Sequence, residues 1–249
     1  VTFIGQFDAM GTRIEVRTTS TNGMAGVREV FAAAEARCSR FLDTSELSRV
    51  NAAPSGAVEI SAELAAVLAA AWELRERTSG LVDPAVGAAV IDWGYDRTFV
   101  AIETGAGPCR VQATPPRPWR LDGPTLYRAA GTRFDLGGIV KGWTADRAVE
   151  AGLADVVSAG GDVRSADPAT VVDVVDPWGE TAAQIVLGVG GLATSSTGRR
   201  RWVTANGPAH HLIDPRTGDP ATTPVVSATV TANTAVEAEA GAKAVLILG

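Results

Sequence analysis

Lysine is nearly missing from this 249-residue chain: of its 22 basic residues only Lys141 and Lys243 are lysine. A bias this strong reflects genome composition, so a lysine that persists is expected to mark a site that arginine cannot fill, a compact point charge being needed rather than a planar fork. Histidine is as scarce, and the two present, His210 and His211, are adjacent. Cysteine also occurs twice. Cys38 and Cys109 have neither CxxC nor Cys/His spacing, which argues against a zinc site and leaves two isolated thiols as the expectation. No apolar run reaches bilayer length; the longest clear one, Leu64 to Trp72, ends at Glu73, so no transmembrane segment is expected. Basic excess is absent too: 28 acidic against 22 basic residues leave a net charge of −6 and a pI near 5.0. A dedicated nucleic-acid binder would show a basic patch or stripe, so nucleic acid is not an expected partner.

Hydrophobic residues make up 46% of the chain, which excludes wholesale disorder. The length suits one large domain or two closely packed ones. The chain starts at Val1 rather than methionine, so removal of an upstream segment is expected. That leaves the compartment open: soluble as given, and extracytoplasmic or membrane-associated if an N-terminal signal was removed.

Arg13 to Arg17 alternates and predicts an early strand. Met24, Val27, Phe31, Ala34, Cys38 and Phe41 recur at helical spacing. A second helix follows Ser61, with Leu64, Val67, Leu68, Ala71 and Trp72 on one side and Gly80 at the position of a C-terminal cap. From Glu103 to Trp119, Gly, Pro and Thr predict a surface connection. Short strands are expected at Val156–Ser158, Val171–Val175, Ile185–Val189 and Val225–Thr231. The last leads into a helix whose Thr234-x-x-Glu237 reads as a capping box. Helices and strands mix without a regular βαβ rhythm, which gives the class as α+β.

Three clusters carry the candidate chemistry. Asp135-Leu-Gly-Gly-Ile-Val-Lys141-Gly142 lies between an expected strand, Thr132–Leu136, and a helix reaching about Ala151. Gly137 and Gly138 let backbone N–H groups approach a ligand, and a helix N-terminus favours anions. Lys141 in the first turn opposes the helix dipole, which favours a phosphate partner, although a tight strand-to-helix turn explains the same residues. No Walker motif or GxGxxG is present. In the second cluster His210 and His211 precede a compact turn, Asp214-Pro215-Arg216-Thr217-Gly218. In the third, Glu239 and Lys243 stand at i and i+4, which taken alone predicts a surface ion pair worth a few tenths of a kcal/mol, on the order of 0.3. The run Arg199-Arg200-Arg201 reads as a solvated loop or strand edge.

Taken in order, these clusters resemble the ApbE family, the FAD:protein FMN transferases once described as thiamine-biosynthesis lipoproteins. The likeness runs from Met10-Gly11-Thr12 through Ser45-Glu46-Leu47-Ser48-Arg49-Val50-Asn51, Gly80 to Asp83, Trp93-Gly94 and Asp135 to Gly142. It continues through Gly160-Gly161-Asp162, Ala193-Thr194-Ser195-Ser196 and His211 to Pro220, and ends at Leu248-Gly249. The resemblance implies one ApbE-like domain over residues 1–249, a compact mixed fold with two interleaved subdomains. It implies an enzyme that moves FMN from FAD onto a threonine or serine of an acceptor flavoprotein and releases AMP. By the same resemblance Met10, Phe41, Leu81, Val82 and Asp83 fall where the family lines its flavin-nucleotide pocket. Asp135 and Lys141 fall around the FAD body and its phosphates, His211 falls near the phosphates, and the Gly138 carbonyl faces Mg²⁺.

The last helix departs from that pattern. Family members usually end in a run like Asp-Ala-Leu-Ala-Thr-Ala, whose Asp and Thr bind Mg²⁺. Here Glu239 replaces the Asp and Lys243 the Thr. Glutamate suits Mg²⁺, but an ammonium is not a ligand. Two expectations stand side by side: Lys243 replaces part of the metal's charge in a working transferase, with Glu239, Lys243 and His211 as catalytic residues, or catalysis has been lost. The competing functions are therefore a non-catalytic FAD carrier or sensor, and an FAD pyrophosphatase in which water replaces the protein hydroxyl.

Overall fold

In the computed structural model, which describes residues 1–102, 117–205 and 207–249, the chain opens with strands β1 (Phe3–Ala9) and β2 (Thr12–Thr18). Helices α1 (Gly23–Cys38) and α2 (Glu46–Ala52) follow, then β3 (Gly56–Glu59), α3 (Ala62–Arg77) and α4 (Gly87–Asp92). Next come β4 (Trp119–Asp122), β5 (Thr125–Arg128), α5 (Val140–Glu150), β6 (Val156–Ala159), β7 (Asp162–Ser165), β8 (Val171–Val175) and β9 (Thr181–Val186). The chain closes with β10 (Gly190–Ser196), β11 (Arg201–Thr204), β12 (Gly207–His210), β13 (Ser227–Ala232) and α6 (Ala235–Leu248). Helices and antiparallel strands mix, as the α+β expectation requires. The chain divides into two compact units, each assembled from three stretches. One comprises Val1–Glu35, Gly137–Ser196 and Val225–Leu246, the other Ala36–Leu136, Thr197–Pro224 and Ile247–Gly249.

The first unit is built on a six-stranded sheet in the order β1-β2-β6-β7-β10-β13, with every pairing antiparallel. In β2 the alternation at Arg13–Arg17 places Ile14 and Val16 inward, where they meet Phe31 of α1 and Ala145 and Ala148 of α5. The register Ala9↔Thr12 leaves Met10 and Gly11 as a two-residue hairpin loop. Both have positive φ (52° and 66°), as tight hairpin turns need. Two features place α6. Its first N–H groups, those of Ala235 and Val236, donate to the Asp146 carboxylate of α5 at 2.8 and 3.0 Å, and Glu237 N–H donates to Thr234 Oγ1 at 3.3 Å. A Cβ on Gly142 would lie 3.0 Å from the Val236 backbone nitrogen, so glycine there lets α5 and the start of α6 approach. The Thr234 half of the expected capping box is therefore present, and a buried aspartate 89 residues away caps the two N–H groups before it.

The second unit carries the sheet β3-β5-β4 and the hairpin β11-β12. Trp119 opens β4 and is held edge-on between Trp72 and Phe134, with ring centroids 4.9 and 5.5 Å away. Helix α3 starts at Ser61, whose hydroxyl accepts from Leu64 N–H. It ends in two reverse bonds, Ser79 N–H to Glu76 O and Gly80 N–H to Arg75 O, so the expected glycine lies one residue beyond a left-handed Ser79.

Three expectations need correction. The strand Thr132–Leu136 reduces to one bridge, Arg133 to Val86, because Asn51 takes a strand partner's place: its side chain donates to Phe134 O and accepts from Phe134 N–H at 2.9 and 2.8 Å. The helix read to Phe41 stops at Cys38. A new helix, α2, begins after Ser45, whose hydroxyl accepts from Ser48 N–H. The expected strand Ile185–Val189 lies earlier, at Thr181–Val186. Cys38 is a free, buried thiol. Cys109, and all but the end of the Glu103–Trp119 connection, lie outside the described residues. Among the described residues no helix is long and apolar enough to cross a membrane.

Candidate active site

In the first unit four charged side chains from three elements meet. Lys141 stands in the first turn of α5, Glu239 and Lys243 one turn apart on α6, and Asp162 at the start of β7, after the tight Gly160-Gly161 turn. Lys141 Nζ lies 3.0 Å from Asp162 and 3.1 Å from Glu239 Oε1, and donates to Gly137 O at 3.1 Å. Lys243 Nζ donates to the same Glu239 Oε1 at 2.7 Å and to Gly138 O at 2.8 Å. Both of the chain's lysines thus converge on one carboxylate oxygen. Glu239 is 3% exposed, which corrects the reading of a surface ion pair: its helix face is covered by α5 and β7 residues that lie far away in sequence.

The electrostatics follow from burial and counter-charge. Burial alone would push the Glu239 carboxyl up, but Lys141 and then Lys243 outweigh it and hold it below the ordinary carboxylate range. Asp162 moves the other way, raised first by burial and then by Glu239 beside it. Burial disfavours the Lys141 ammonium, yet Asp162 and Glu239 overcome that and raise its pKa. The four groups sum to no net charge. Glu239 Oε2 is buried without a hydrogen-bond partner, and Asp162 Oδ2 meets Lys141 only as an ion pair at 3.0 Å, so the cluster keeps acceptor capacity unused.

The same unit places Met10 at the tip of the β1–β2 hairpin, lining an open depression of about 630 Å³ with Asp8, Thr12, Arg13 and Glu35. Asp162 was missed as a site residue in the sequence. The available signal was an aspartate directly after two glycines, a geometry that aims a side chain from a strand start.

In the second unit Asp135 pairs with Arg40 Nε at 2.8 Å. The Arg40 guanidinium lies 4.1 Å from the Phe41 ring and 4.7 Å from that of Tyr95, and the two rings are 5.5 Å apart. Arg40 is a further residue that sequence reading did not single out, and Tyr95 falls in the Asp92-Trp93-Gly94-Tyr95 stretch, which reads from sequence as a turn rather than a site. Asp83 is buried and fully engaged: Oδ2 accepts from Arg75 Nε at 2.7 Å, Oδ1 from Ala85 N–H at 2.9 Å and Trp119 Nε1 at 3.1 Å. Its neighbour Val82 is buried and Leu81 half-buried. The two histidines separate cleanly. His210 Nδ1 accepts from Leu212 N–H at 3.3 Å, so Nε2 carries the proton toward Ala221 O at 3.1 Å, and burial lowers its pKa further. His210 is a neutral brace of the turn, whereas His211 follows β12 half-buried. The turn forms as expected, with Thr217 and Gly218 N–H groups on Asp214 O and the Asp214 carboxylate taken by Arg216.

The sequence-predicted residues therefore fall into two groups. Met10, Gly138, Lys141, Glu239 and Lys243 belong to the first unit; Phe41, Leu81, Val82, Asp83, Asp135 and His211 belong to the second. The structure brings Gly138, Lys141, Glu239 and Lys243 into direct contact. The residues present do not fit a Mg²⁺ between Gly138 and Glu239, because the Lys243 ammonium already bridges those two oxygens. Among the described residues no group of three His, Cys, Asp or Glu side chains is arranged to hold a metal ion.

Comparison with known proteins gives a consistent result. A protein from Treponema pallidum named FAD:protein FMN transferase is 32% identical over 96% of this chain and 77% of its own length. A protein of the same name from Haemophilus influenzae is 27% identical over 94% of this chain and 75% of its own. The crystal structure of an ApbE protein from Thermotoga maritima superimposes with a TM-score of 0.89 at 28% identity, covering 100% of this chain and 87% of that one. The ApbE family model matches residues 10–249, and the chain belongs to the ApbE family.

Proposed function

We propose that this chain transfers FMN from FAD to a threonine or serine hydroxyl of an acceptor flavoprotein, with release of AMP. The oxygen of the acceptor hydroxyl forms a bond to the FMN phosphorus. The phosphoanhydride bond breaks, AMP leaves with the bridging oxygen, and the hydroxyl proton passes to solvent. The observation that carries this reading is the buried Lys141–Glu239–Lys243 cluster at the glycine-rich start of α5. Phosphoryl transfer calls for positioned positive charge more than for covalent participation. Lys141 and Lys243 neutralise charge that grows on the phosphate oxygens, and Glu239 Oε1 fixes both ammoniums. Glu239 Oε2, buried with no partner, is the acceptor that orients the incoming hydroxyl.

Met10, Phe41, Leu81, Val82 and Asp135 bind the FAD body in this reading, and His211 acts near its phosphates. Support for His211 over His210 is that the His210 ring is committed on both nitrogens to the backbone. Asp83 acts through Arg75 and Trp119 by holding the Leu81–Val82 segment in place. The acceptor is a protein of flavoprotein type.

The test is incubation with FAD and an acceptor domain carrying one threonine target, read by intact mass. One covalently attached FMN per acceptor, lost when that threonine becomes alanine, is the expected result. Free FMN and AMP with unmodified acceptor would instead establish hydrolysis, and intact bound FAD a carrier.

A further inference from the structure

We propose that the Lys243 ammonium is the resident cation of this site, so that FAD is bound and turned over here without a divalent metal; the turnover half of this statement rests on the transferase reading. Three observations carry it. First, Lys243 Nζ sits 2.8 Å from Gly138 O and 2.7 Å from Glu239 Oε1, ordinary charge-assisted hydrogen-bond lengths. Mg²⁺ at that position would need oxygens at about 2.0–2.1 Å, closer than the ammonium-bearing geometry holds them, and with several waters besides.

Second, the lysine packs closely on the glycine backbone. A Cβ on Gly138 would stand 2.7 Å from Lys243 Cε and 3.0 Å from Nζ, so the end of the lysine arm lies directly against the bare Cα of glycine and would have to shift if a side chain stood there. Third, the charge balance is already complete. Lys141 and Lys243 offset Asp162 and Glu239, so the cluster offers a dication no net negative charge to neutralise. Replacing Lys243 by an uncharged oxygen-bearing residue reverses this, leaving one surplus negative charge facing Gly138 O. An ammonium has three donors. Two end on Gly138 O and Glu239 Oε1, and the third is the one a phosphate oxygen takes.

The only two lysines of the chain meet on the same carboxylate oxygen, which fits a need for compact charge. A guanidinium is a planar fork and would not place one compact charge on both Gly138 O and Glu239 Oε1 as the ammonium does.

The experiment uses Mn²⁺ as the probe, titrated by electron paramagnetic resonance into the wild-type chain and Lys243→Thr, with and without FAD. Thermal melts confirm that both are folded. Wild type is expected to show no site tighter than millimolar, and Lys243→Thr to bind at least tenfold more tightly. In the transfer assay wild type should form the FMN adduct within twofold of the same rate in EDTA and in Mg²⁺, an arm that needs no variant. Lys243→Thr should form it only with Mg²⁺. Wild type binding Mn²⁺ as tightly as Lys243→Thr, or losing its adduct in EDTA and regaining it with Mg²⁺, would overturn the proposal. Absence of adduct under every condition would count against the transferase reading, and the Mn²⁺ titration would still decide whether Lys243 holds the cation position.

Discussion

Truncating Glu239 to alanine tests whether the cluster behaves as a buried network. Glu239 is 3% exposed, with ammoniums 2.7 and 3.1 Å from one of its oxygens. At an effective dielectric of about 20, each contact is worth roughly 5–6 kcal/mol of Coulomb attraction, most of it offset by the cost of taking the charges out of water. Removing Glu239 leaves two buried ammoniums with Asp162, paired to Lys141, as the one remaining carboxylate of the cluster. The expected net loss is about 3–5 kcal/mol, the usual cost of stranding a buried charge. For a chain of this size that lowers Tm by about 6–20 °C, at roughly 2–4 °C per kcal/mol. Circular dichroism melts at neutral pH provide the assay. The double variant Glu239→Leu/Lys243→Met should recover more than half of the loss, because it removes charge and counter-charge together. A Tm within about 2 °C of wild type for Glu239→Ala would give the pair the value of a surface salt bridge and refute the reasoning.

Asp146 supplies a pH prediction. Burial raises its carboxyl from 3.8 to about 6, against the opposing pull of the Ala235 and Val236 N–H groups and Arg164, with Glu150 adding to the rise. The folded state therefore binds more protons than the unfolded chain between those values. Stability from this group is complete below about pH 4 and is lost as pH rises through about 6. The Tm difference between wild type and Asp146→Asn should shrink across that window, and a difference independent of pH would contradict the assignment. The Cys38 thiol, pushed up to about 12 by burial against the pull of Arg37, should resist iodoacetamide in the native chain and react once guanidinium unfolds it, as read on the Cys38 peptide. Native labelling at the rate of an exposed thiol would show that α1 does not bury it.

Much of the first unit was legible because its signals are local. Alternation at Arg13–Arg17 specified β2, and Thr234-x-x-Glu237 after a β-branched run marked the start of α6. The strands β1, β7, β10 and β11, the helices α2 and α4 and the three short strands β3, β4 and β5 were not legible. In β1 only Ile4, Phe7 and Ala9 hint at a pattern, and its stability comes from seven paired positions with β2. The segment at Phe134 looked like a strand because its residues suit one. Asn51, 83 residues away, satisfies its backbone instead, and no periodicity announces a side chain that will act as a strand.

The site shows the same division between local and distant information. The i, i+4 spacing of Glu239 and Lys243 correctly gave their contact, but spacing carries no information about burial. Lys141 reaches Glu239 across 98 positions and Asp162 comes from another element, and these two convert a weak surface pair into an enclosed network. Composition held the better clue. In a chain that otherwise uses arginine, two lysines meet on one carboxylate oxygen, and the end of one of them, Lys243, lies against the bare Cα of Gly138. The departure from the family's terminal pattern at Lys243 is thus matched by the backbone around it: the residue that displaces the hydroxyl brings its own charge to the place where charge is needed.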